Sequence, residues 1–462
     1  MPSLLDLSTE LQELIVGYLD SPTIVRDVPA KYFAPRTSRD LARLSSCCHS
    51  LHSLVGPRLH RKVCLQNNDK SGKSLQAIGS DTWAASFVRE LSVEANIILD
   101  DEWKEPNPLS AEDFPSSVQD VLSHLERFPN LEVLSVQFKC DETEELDEWA
   151  VESNFNIWSY TPDPFRNFTE LKQKEEWSDW KALMARTYDA ISGSPRPSTL
   201  KTLELRNLLP TGVSSFTTEA WQAFLRSLEV LRVSLHGCDN DFNLAWGFIG
   251  FVENLDMLFS HLVNVTEFRF EGSEHGWPGG RGHLHTTIPL DVQDMPMLQV
   301  FELRHCFISE RTARFIAGHV KTLKRVTLED CYSVATCSSA DEQTTWATFF
   351  NIIANSLDED KNPCLEDFFV SPRSLSESGN GARTLGVPVV GDEQQIELAN
   401  SMAKISPYRR PFNYGWMDDK YAYLREDEEQ NLAAFLAGHD QAAYDRVMAI
   451  AGRRPGSRQS SV

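Results

Sequence analysis

Two stretches in the second half of the chain, MLQVFELRHC at Met297–Cys306 and TLKRVTLEDC at Thr322–Cys331, share one pattern of apolar residues. In each, apolar residues stand at the second, fifth and seventh positions, and a cysteine closes the stretch. Such alternation is typical of a strand with one buried face. A helix-like run, ERTARFIAGHV at 310–320, lies between the two stretches. The pattern therefore predicts strands that are joined by helices.

A shorter form of the pattern, apolar-x-x-apolar-x-apolar, occurs at six further places. The central apolar residues of the eight copies are Leu91, Leu134, Leu203, Leu231, Phe268, Phe301, Val326 and Phe368. The pattern is similar to the leucine-rich repeat, and Cys306 and Cys331 are 25 residues apart, within that repeat's period. Most other offsets are longer. We therefore expect an irregular α/β repeat solenoid, an arc of parallel strands with outer helices and a concave binding surface.

The segment LLDLSTELQELIVGYLD at 4–20 predicts an amphipathic helix. Thr9 followed by Gln12 three residues later is a helix-capping signature. Apolar residues then recur at the spacing of one helical face, at Leu11, Leu14, Ile15, Tyr18 and Leu19. Ser38–Leu65 reads as two more short helices followed by a first strand.

Three short helices ahead of such repeats resemble the F-box family, and the resemblance covers about the first 65 residues. The residues that match its signature are Leu7, Glu10, Leu11, Ile15, Tyr18, Leu19, Asp40, Leu41, Leu44, Cys48 and Leu51. The chain departs from the signature at Ser8, where the family has proline, and in the long linker Ser21–Arg39.

In that family the F-box binds a Skp-type adaptor of a cullin-RING ubiquitin ligase, and the repeats hold the substrate. The resemblance thus implies a substrate-recognition subunit of an SCF-type ubiquitin ligase that is not itself an enzyme. The adaptor-binding residues that it implies are Leu7, Leu11, Ile15, Leu19, Leu41 and Leu44. The alternative for each is that it only packs the three helices together.

The substrate-binding candidates are the polar residues predicted to point outward from the strands, namely Arg206, Arg232, Arg269, Arg304 and Glu329. Several arginines on an acidic chain favour an acidic or phosphorylated target, because guanidinium groups match carboxylates and phosphates. The alternative is that they are ordinary solvated strand residues. His275 and His283, in a glycine-rich loop between two repeats, are further contact candidates.

The composition of the chain disfavours some classes of binding partner. The 462 residues carry a formal net charge of −23, which disfavours binding to nucleic acid or to an anionic membrane surface. The nine cysteines lack paired short spacings and a secretion signal, so we expect reduced thiols in the cytoplasm or nucleus. The most apolar window, Phe242–Leu262, contains Glu253 and Asp256, which argues against a membrane span.

Catalytic and metal motifs are weak. Gly72, Lys73 and Ser74 end like a phosphate-binding loop, but Asn67 stands where that motif needs glycine, so we interpret them as a flexible turn. The histidine loop lacks further ligands at zinc spacing. We therefore expect no cofactor and no metal.

The predicted organisation is an F-box-like unit at 1–65, a repeat solenoid at 66–405 with insertions near 94–130 and 139–199, a C-terminal capping helix region at 406–452 and a disordered tail at 453–462. Two alternatives stay open: a repeat scaffold with no ligase role, and an unrecognised enzyme that uses the histidine loop. The substrate is not identified by the sequence.

Overall fold

The computed structural model describes residues 7–20, 36–97, 114–140, 167–236, 244–273, 276–282, 285–335, 344–360, 363–371, 409–417 and 424–451. The chain divides into two compact units. The first holds the residues up to Ala95, together with Ser110–Val136 and Gly193–Lys201; the second holds the rest. The predicted tail at 453–462 lies outside the described residues.

The N-terminal part of the chain is mainly helical. Its helices are α1 (Thr9–Asp20), α2 (Arg36–Ser45), α3 (His49–Leu59), α4 (Asp69–Ser80), α5 (Thr82–Ala85) and α6 (Ser116–Leu122). Its strands are β1 (Lys62–Gln66), β2 (Glu90–Ile97) and β3 (Val133–Cys140). The region predicted as the first insertion, near 94–130, contains α6.

Strands and helices alternate through most of the remaining chain. The helices are α7 (Phe168–Trp177), α8 (Asp179–Gly193), α9 (Glu219–Arg226), α10 (Leu244–Glu253), α11 (Asp256–Phe259), α12 (Glu310–Gly318), α13 (Trp346–Glu359), α14 (Glu428–Ala437) and α15 (His439–Ala451). The strands are β4 (Thr202–Leu208), β5 (Val230–Leu235), β6 (Glu267–Glu271), β7 (Gly279–Gly282), β8 (His285–Thr286), β9 (Val300–Arg304), β10 (Arg325–Glu329), β11 (Ser333–Val334), β12 (Asp367–Ser371), β13 (Tyr414–Met417) and β14 (Leu424–Glu426).

One open parallel sheet contains nine of these strands, in the order β1-β2-β3-β4-β5-β6-β9-β10-β12. The central apolar residues of the repeated pattern stand side by side in it. The register pairs Leu203 with Leu231, Leu231 with Phe268, Phe268 with Phe301, Phe301 with Val326, and Val326 with Phe368. The prediction of parallel strands aligned at these positions is confirmed.

Burial explains why the strands align in this way. The central residue and the apolar residue two positions later are buried in β4, β5, β6, β9, β10 and β12, since alternate side chains of a strand share one face. A shift by one residue would expose both. On α13, one apolar face is also buried, at Trp346, Phe349, Phe350, Ile353 and Leu357.

The same unusual backbone conformation occurs near the end of β4 and directly after β9 and β10. Asn207, His305 and Asp330 each follow the central apolar residue by four positions, and their φ angles are 52°, 51° and 50°. Asn, Asp and His are the residues other than glycine that best tolerate this left-handed region. The repeat therefore specifies a turn as well as a strand.

The C-terminal region covers the outer edge of β12. The Tyr444 hydroxyl donates to the carbonyl oxygen of Phe368 at 3.3 Å, and Nη1 of Arg410 donates to that of Val370 at 3.2 Å. These carbonyl groups lie at a sheet edge, where unpaired backbone groups favour association with other strands. Within the region predicted as the C-terminal capping helix region, Gly438, with φ of 72°, separates α14 from α15.

Helix α1 begins at Thr9, and the Gln12 side chain donates to the carbonyl oxygen of Leu7 at 3.0 Å. The predicted turn at Gly72, Lys73 and Ser74 is wrong. Gly72, Lys73 and Ser74 lie inside α4 rather than in a turn, because the Asn68 side chain accepts a hydrogen bond from the backbone of Ser71 and starts a helix there.

Candidate interaction surfaces

The first candidate surface lies on the three N-terminal helices. Their core consists of Val16 from α1, Leu41 from α2 and Val55 from α3. Three partly buried leucines, Leu44, Leu54 and Leu59, pack against this core. The helices are 12, 10 and 11 residues long, too short to be stable alone in water. Their mutual packing is therefore what holds them.

Helix α1 turns leucines outward. Leu11 is 50% exposed and Leu14 is 71% exposed, whereas Val16 is 1% exposed. The helix is thus rotated relative to the apolar face that the sequence suggests, and Val16, which the prediction omitted, faces the core. Exposed leucines on one helix are typical of an interaction surface when they stand together.

The implied adaptor-binding residues separate into three groups. Leu11 is exposed, while Leu7, Ile15 and Leu44 are half-buried. Leu41 is 2% exposed and belongs to the helix core. The structure does not describe the side chain of Leu19. Leu14, which was not among the implied residues, is the most exposed leucine of α1 among those described.

An aromatic contact joins α3 to the segment that follows it. Trp83 of α5 stacks on His52 with 5.0 Å between ring centroids and lies edge-on to His60 at 6.2 Å. A side chain at Gly56 would collide with the Trp83 ring, because an added Cβ atom would lie 2.3 Å from it. Burial lowers the pKa of His60, the nearby His52 lowers it further, and Asp81 acts in the opposite sense.

The second candidate surface is the outward face of β4, β5, β6, β9, β10 and β12, which we call the strand face. All five strand residues predicted to bind substrate lie on it: Arg206, Arg232, Arg269, Arg304 and Glu329. They are exposed or half-buried, and they alternate with buried residues along each strand.

The arginines of the strand face are bound to carboxylates. Nε of Arg206 lies 3.0 Å from Oε2 of Glu204, and Nη1 of Arg232 lies 2.8 Å from Oε1 of the same residue. Glu267 accepts hydrogen bonds from Arg232 at 3.0 Å and from Arg269 at 2.9 Å. The result is a row of alternating charges across β4, β5 and β6.

These contacts set the ionisation of the row. Burial alone would raise the pKa of Glu204, but the hydrogen bonds and charges of Arg206 and Arg232 outweigh it, and the pKa is lowered. Burial opposes the charge of Arg232 as well, and Glu267 and Glu204 raise its pKa. Glu204 and Arg232 are therefore both charged at neutral pH.

Looser contacts occur where β9 and β10 end. Arg304 lies 3.7 Å from Glu271 and 4.0 Å from Asp330, and the His305 ring lies 3.5 Å from Asp330. These distances exceed normal hydrogen-bond lengths.

Cys306 and Cys331, at the closing position of the repeat, are buried free thiols. The thiol of Cys306 donates to the carbonyl oxygen of Arg304 at 3.1 Å, and that of Cys331 to the carbonyl oxygen of Glu329 at 3.5 Å. Burial raises the pKa of both thiols, that of Cys331 to about 12. Both are therefore in the thiol form at neutral pH, as part of the turn.

Several functional candidates need separate mention. His275 and His283 lie outside the described residues. Within the described ranges, no group of three or more His, Cys, Asp or Glu residues is arranged to hold a metal ion. Sequence reasoning missed the carboxylate partners of the arginines and Phe369, an outward aromatic residue of β12 that is 45% exposed. The outward positions of these residues on their strands were the sequence signal that could have identified them.

Comparisons with known proteins give no family: no family model matches the chain, and neither a curated protein nor a solved structure is similar to it. In the part of the chain that the structure describes, no helix combines the length and the apolar character that crossing a bilayer requires.

Proposed function

We propose that this protein is the substrate-recognition subunit of an SCF-type ubiquitin ligase. Helices α1 to α3 bind a Skp-type adaptor, and through it the cullin and RING subunits, while the strand face holds a protein target. The sheet of register-aligned parallel strands is, in this proposal, an irregular leucine-rich repeat solenoid. The protein would act in the cytoplasm or nucleus.

The main observation behind the proposal is that some apolar residues of the three helices form their shared core while others stay exposed. Val16, Leu41 and Val55 suffice for a common core, while Leu11 and Leu14 remain exposed on α1. Exposing two leucines costs solvation free energy unless a partner covers them. An adaptor that covers α1 would recover that free energy on binding.

The mechanism needs no covalent chemistry from this chain. A target on the strand face and a ligase on the helices become parts of one assembly, so a lysine of the target meets the charged ubiquitin carrier at a high effective concentration. The residues of this chain bind and position; the partner subunits supply the chemistry.

Co-expression with a Skp-type adaptor tests the proposal. Size-exclusion chromatography should show a complex for the wild type and its loss for Leu11→Asp/Leu14→Asp. Both side chains are exposed, so this variant should keep the wild-type melting temperature. The matched control is Leu436→Asp on α14, where the leucine is also 50% exposed; it should bind normally.

A folded wild-type protein that forms no complex with the adaptor would refute the ligase role. The protein would then be a repeat scaffold whose N-terminal helices only cover one end of the repeats. Loss of the complex in the Leu436→Asp control as well would show that binding depends on general solubility rather than on α1.

A further inference from the structure

The charges of the strand face identify the class of target, an inference that rests on the proposed function. Sequence alone favoured an acidic or phosphorylated target because of the arginines. In the structure every arginine of this face, Arg206, Arg232, Arg269, Arg304 and Arg325, lies within 4.0 Å of a carboxylate. An anionic ligand would have to displace these carboxylates and then lie beside them.

Carboxylates outnumber arginines on the same face. Six stand at outward positions of these strands, and Asp330 lies buried just beyond the end of β10. The six are Glu204, Glu267, Glu271, Glu302, Glu329 and Asp367. The whole chain also carries a net charge of −23. A negative face on a negative protein attracts cationic segments and repels anionic ones at long range.

The excess of carboxylates over arginines is uneven along the sheet. On β4, β5 and β6 the contacts are short, with Arg232 hydrogen-bonded to both Glu204 and Glu267. At the ends of β6, β9 and β10, Arg304 stands in register between Glu271 and Glu329, and its contact with Glu271 is 3.7 Å. Two carboxylates, Glu271 and Glu329, flank the Arg304 position in the register, so a further cation gains most at this end.

An apolar contact lies next to this part of the face. Phe369 points outward from β12 at a position in register with Thr327 of β10, and it is 45% exposed. Because neighbouring strands are about 4.8 Å apart, Phe369 lies roughly 10 Å from the Glu302 position on β9, which is in register with Thr327. The Arg304 position is two residues further along β9 and lies roughly 12 Å from Phe369. An extended segment can reach both places with side chains a few residues apart.

We propose that the strand face binds an extended cationic segment of the target, with lysine or arginine over Glu271 and Glu329 and an apolar side chain on Phe369. The charges provide attraction and orientation, and the aromatic contact adds affinity that salt does not screen. Charge complementarity distinguishes this occupant from an acidic or phosphorylated segment.

Fluorescence anisotropy with the full chain tests the proposal. The probes are a labelled peptide of lysine and serine with one leucine, the same peptide with glutamate in place of lysine, and the lysine peptide without leucine. We expect the lysine peptide with leucine to bind best and to weaken between about 50 mM and about 500 mM salt. The glutamate peptide should not bind.

Variants then locate the site. Glu271→Gln/Glu329→Gln should weaken binding of the lysine peptide about fivefold or more, while Arg304→Gln, which removes the internal counter-charge, should strengthen it. Glu310→Gln/Glu359→Gln removes the same charge from exposed helix positions and should change affinity less than about twofold. Phe369→Ala should weaken only the peptide that contains leucine. Melting curves check each variant, and Glu302→Gln replaces the double variant if that one is unstable.

Changes in peptide affinity of the opposite sign would refute the proposal. Tighter binding of the glutamate peptide, weaker binding of the lysine peptide by Arg304→Gln, or an equal loss in the helix control would each overturn it. The adaptor experiment is independent, because Leu11→Asp/Leu14→Asp leaves the strand face unchanged. Failure to bind adaptor with normal peptide binding would refute the ligase role alone.

Discussion

Replacing Leu41 by alanine should unfold the three N-terminal helices while leaving the repeat strands folded. Leu41 is 2% exposed and packs in the core with Val16 and Val55. Burial of a leucine side chain contributes roughly 1.5–3 kcal/mol, and the cavity left behind raises the cost of Leu41→Ala to about 3–5 kcal/mol. That is a large part of the stability of helices only 12, 10 and 11 residues long.

Hydrogen exchange followed by mass spectrometry measures this effect locally. A loss of about 3 kcal/mol corresponds to a roughly hundredfold faster exchange of the α1–α3 amides. Peptides from β9 and β10 serve as the internal reference and should exchange as in the wild type. Leu14→Ala is the matched control, since Leu14 is 71% exposed and its truncation should cost less than about 0.5 kcal/mol.

The comparison of the two leucines tests the orientation of α1 and α2. If Leu14→Ala accelerates exchange as much as Leu41→Ala, the assignment of Leu41 to the core and of Leu14 to the surface is wrong. Substitutions at these two leucines also separate two reasons for losing the adaptor. Leu41→Ala would lose the adaptor because the helices unfold, whereas Leu14→Asp would lose it because a folded surface is altered.

Three further predictions concern stability. Glu175→Ala should cost about 1–3 kcal/mol of folding stability and lower the melting temperature, because the buried carboxylate accepts hydrogen bonds from the backbone and hydroxyl of Ser214 at 2.7 and 3.0 Å. The control Glu176→Ala, at an exposed neighbouring position, should change the melting temperature little. Equal changes in melting temperature for the two variants would contradict the argument. Burial lowers the pKa of His60 from its ordinary value of 6.5, so stability should fall as the pH drops through 6.5 toward the folded-state pKa. The melting temperature of His60→Gln should fall less over the same pH range than that of the wild type. An equal fall in the two proteins would contradict this prediction. Tyr444→Phe removes the hydroxyl that covers the Phe368 carbonyl at the edge of β12, which should cost about 0.5–1.5 kcal/mol and increase light scattering on heating; unchanged values would show that the edge is protected without it.

The repeat strands were predictable from the sequence because their pattern is local. Alternation of apolar and polar residues identifies a strand and its buried face within a few positions. Once Phe301 and Val326 must both be buried, their side-by-side register follows, because a shift of one residue would turn both strands inside out. The left-handed turns at Asn207, His305 and Asp330 also follow the repeat.

The candidate sites were predicted less well. The sequence named Arg232 and Arg269 as outward residues, and the structure places them there. The partners of Arg232, Glu204 and Glu267, come from the two neighbouring strands, and no local pattern shows which charges meet across a sheet. The prediction of an acidic target counted the arginines without the carboxylates beside them, and it stays a prediction.

The amino-acid sequence by itself determined where strands and helices form and which strand residues are buried, because these depend on periodicity over neighbouring residues. Only the tertiary structure decided how α1 is rotated, so that Val16 is buried and Leu14 is exposed, and how the charges of the strand face pair. Both depend on side chains that are distant in the sequence. An apolar stripe on a short helix permits several rotations, and packing against α2 and α3 selects the one that fills their shared core.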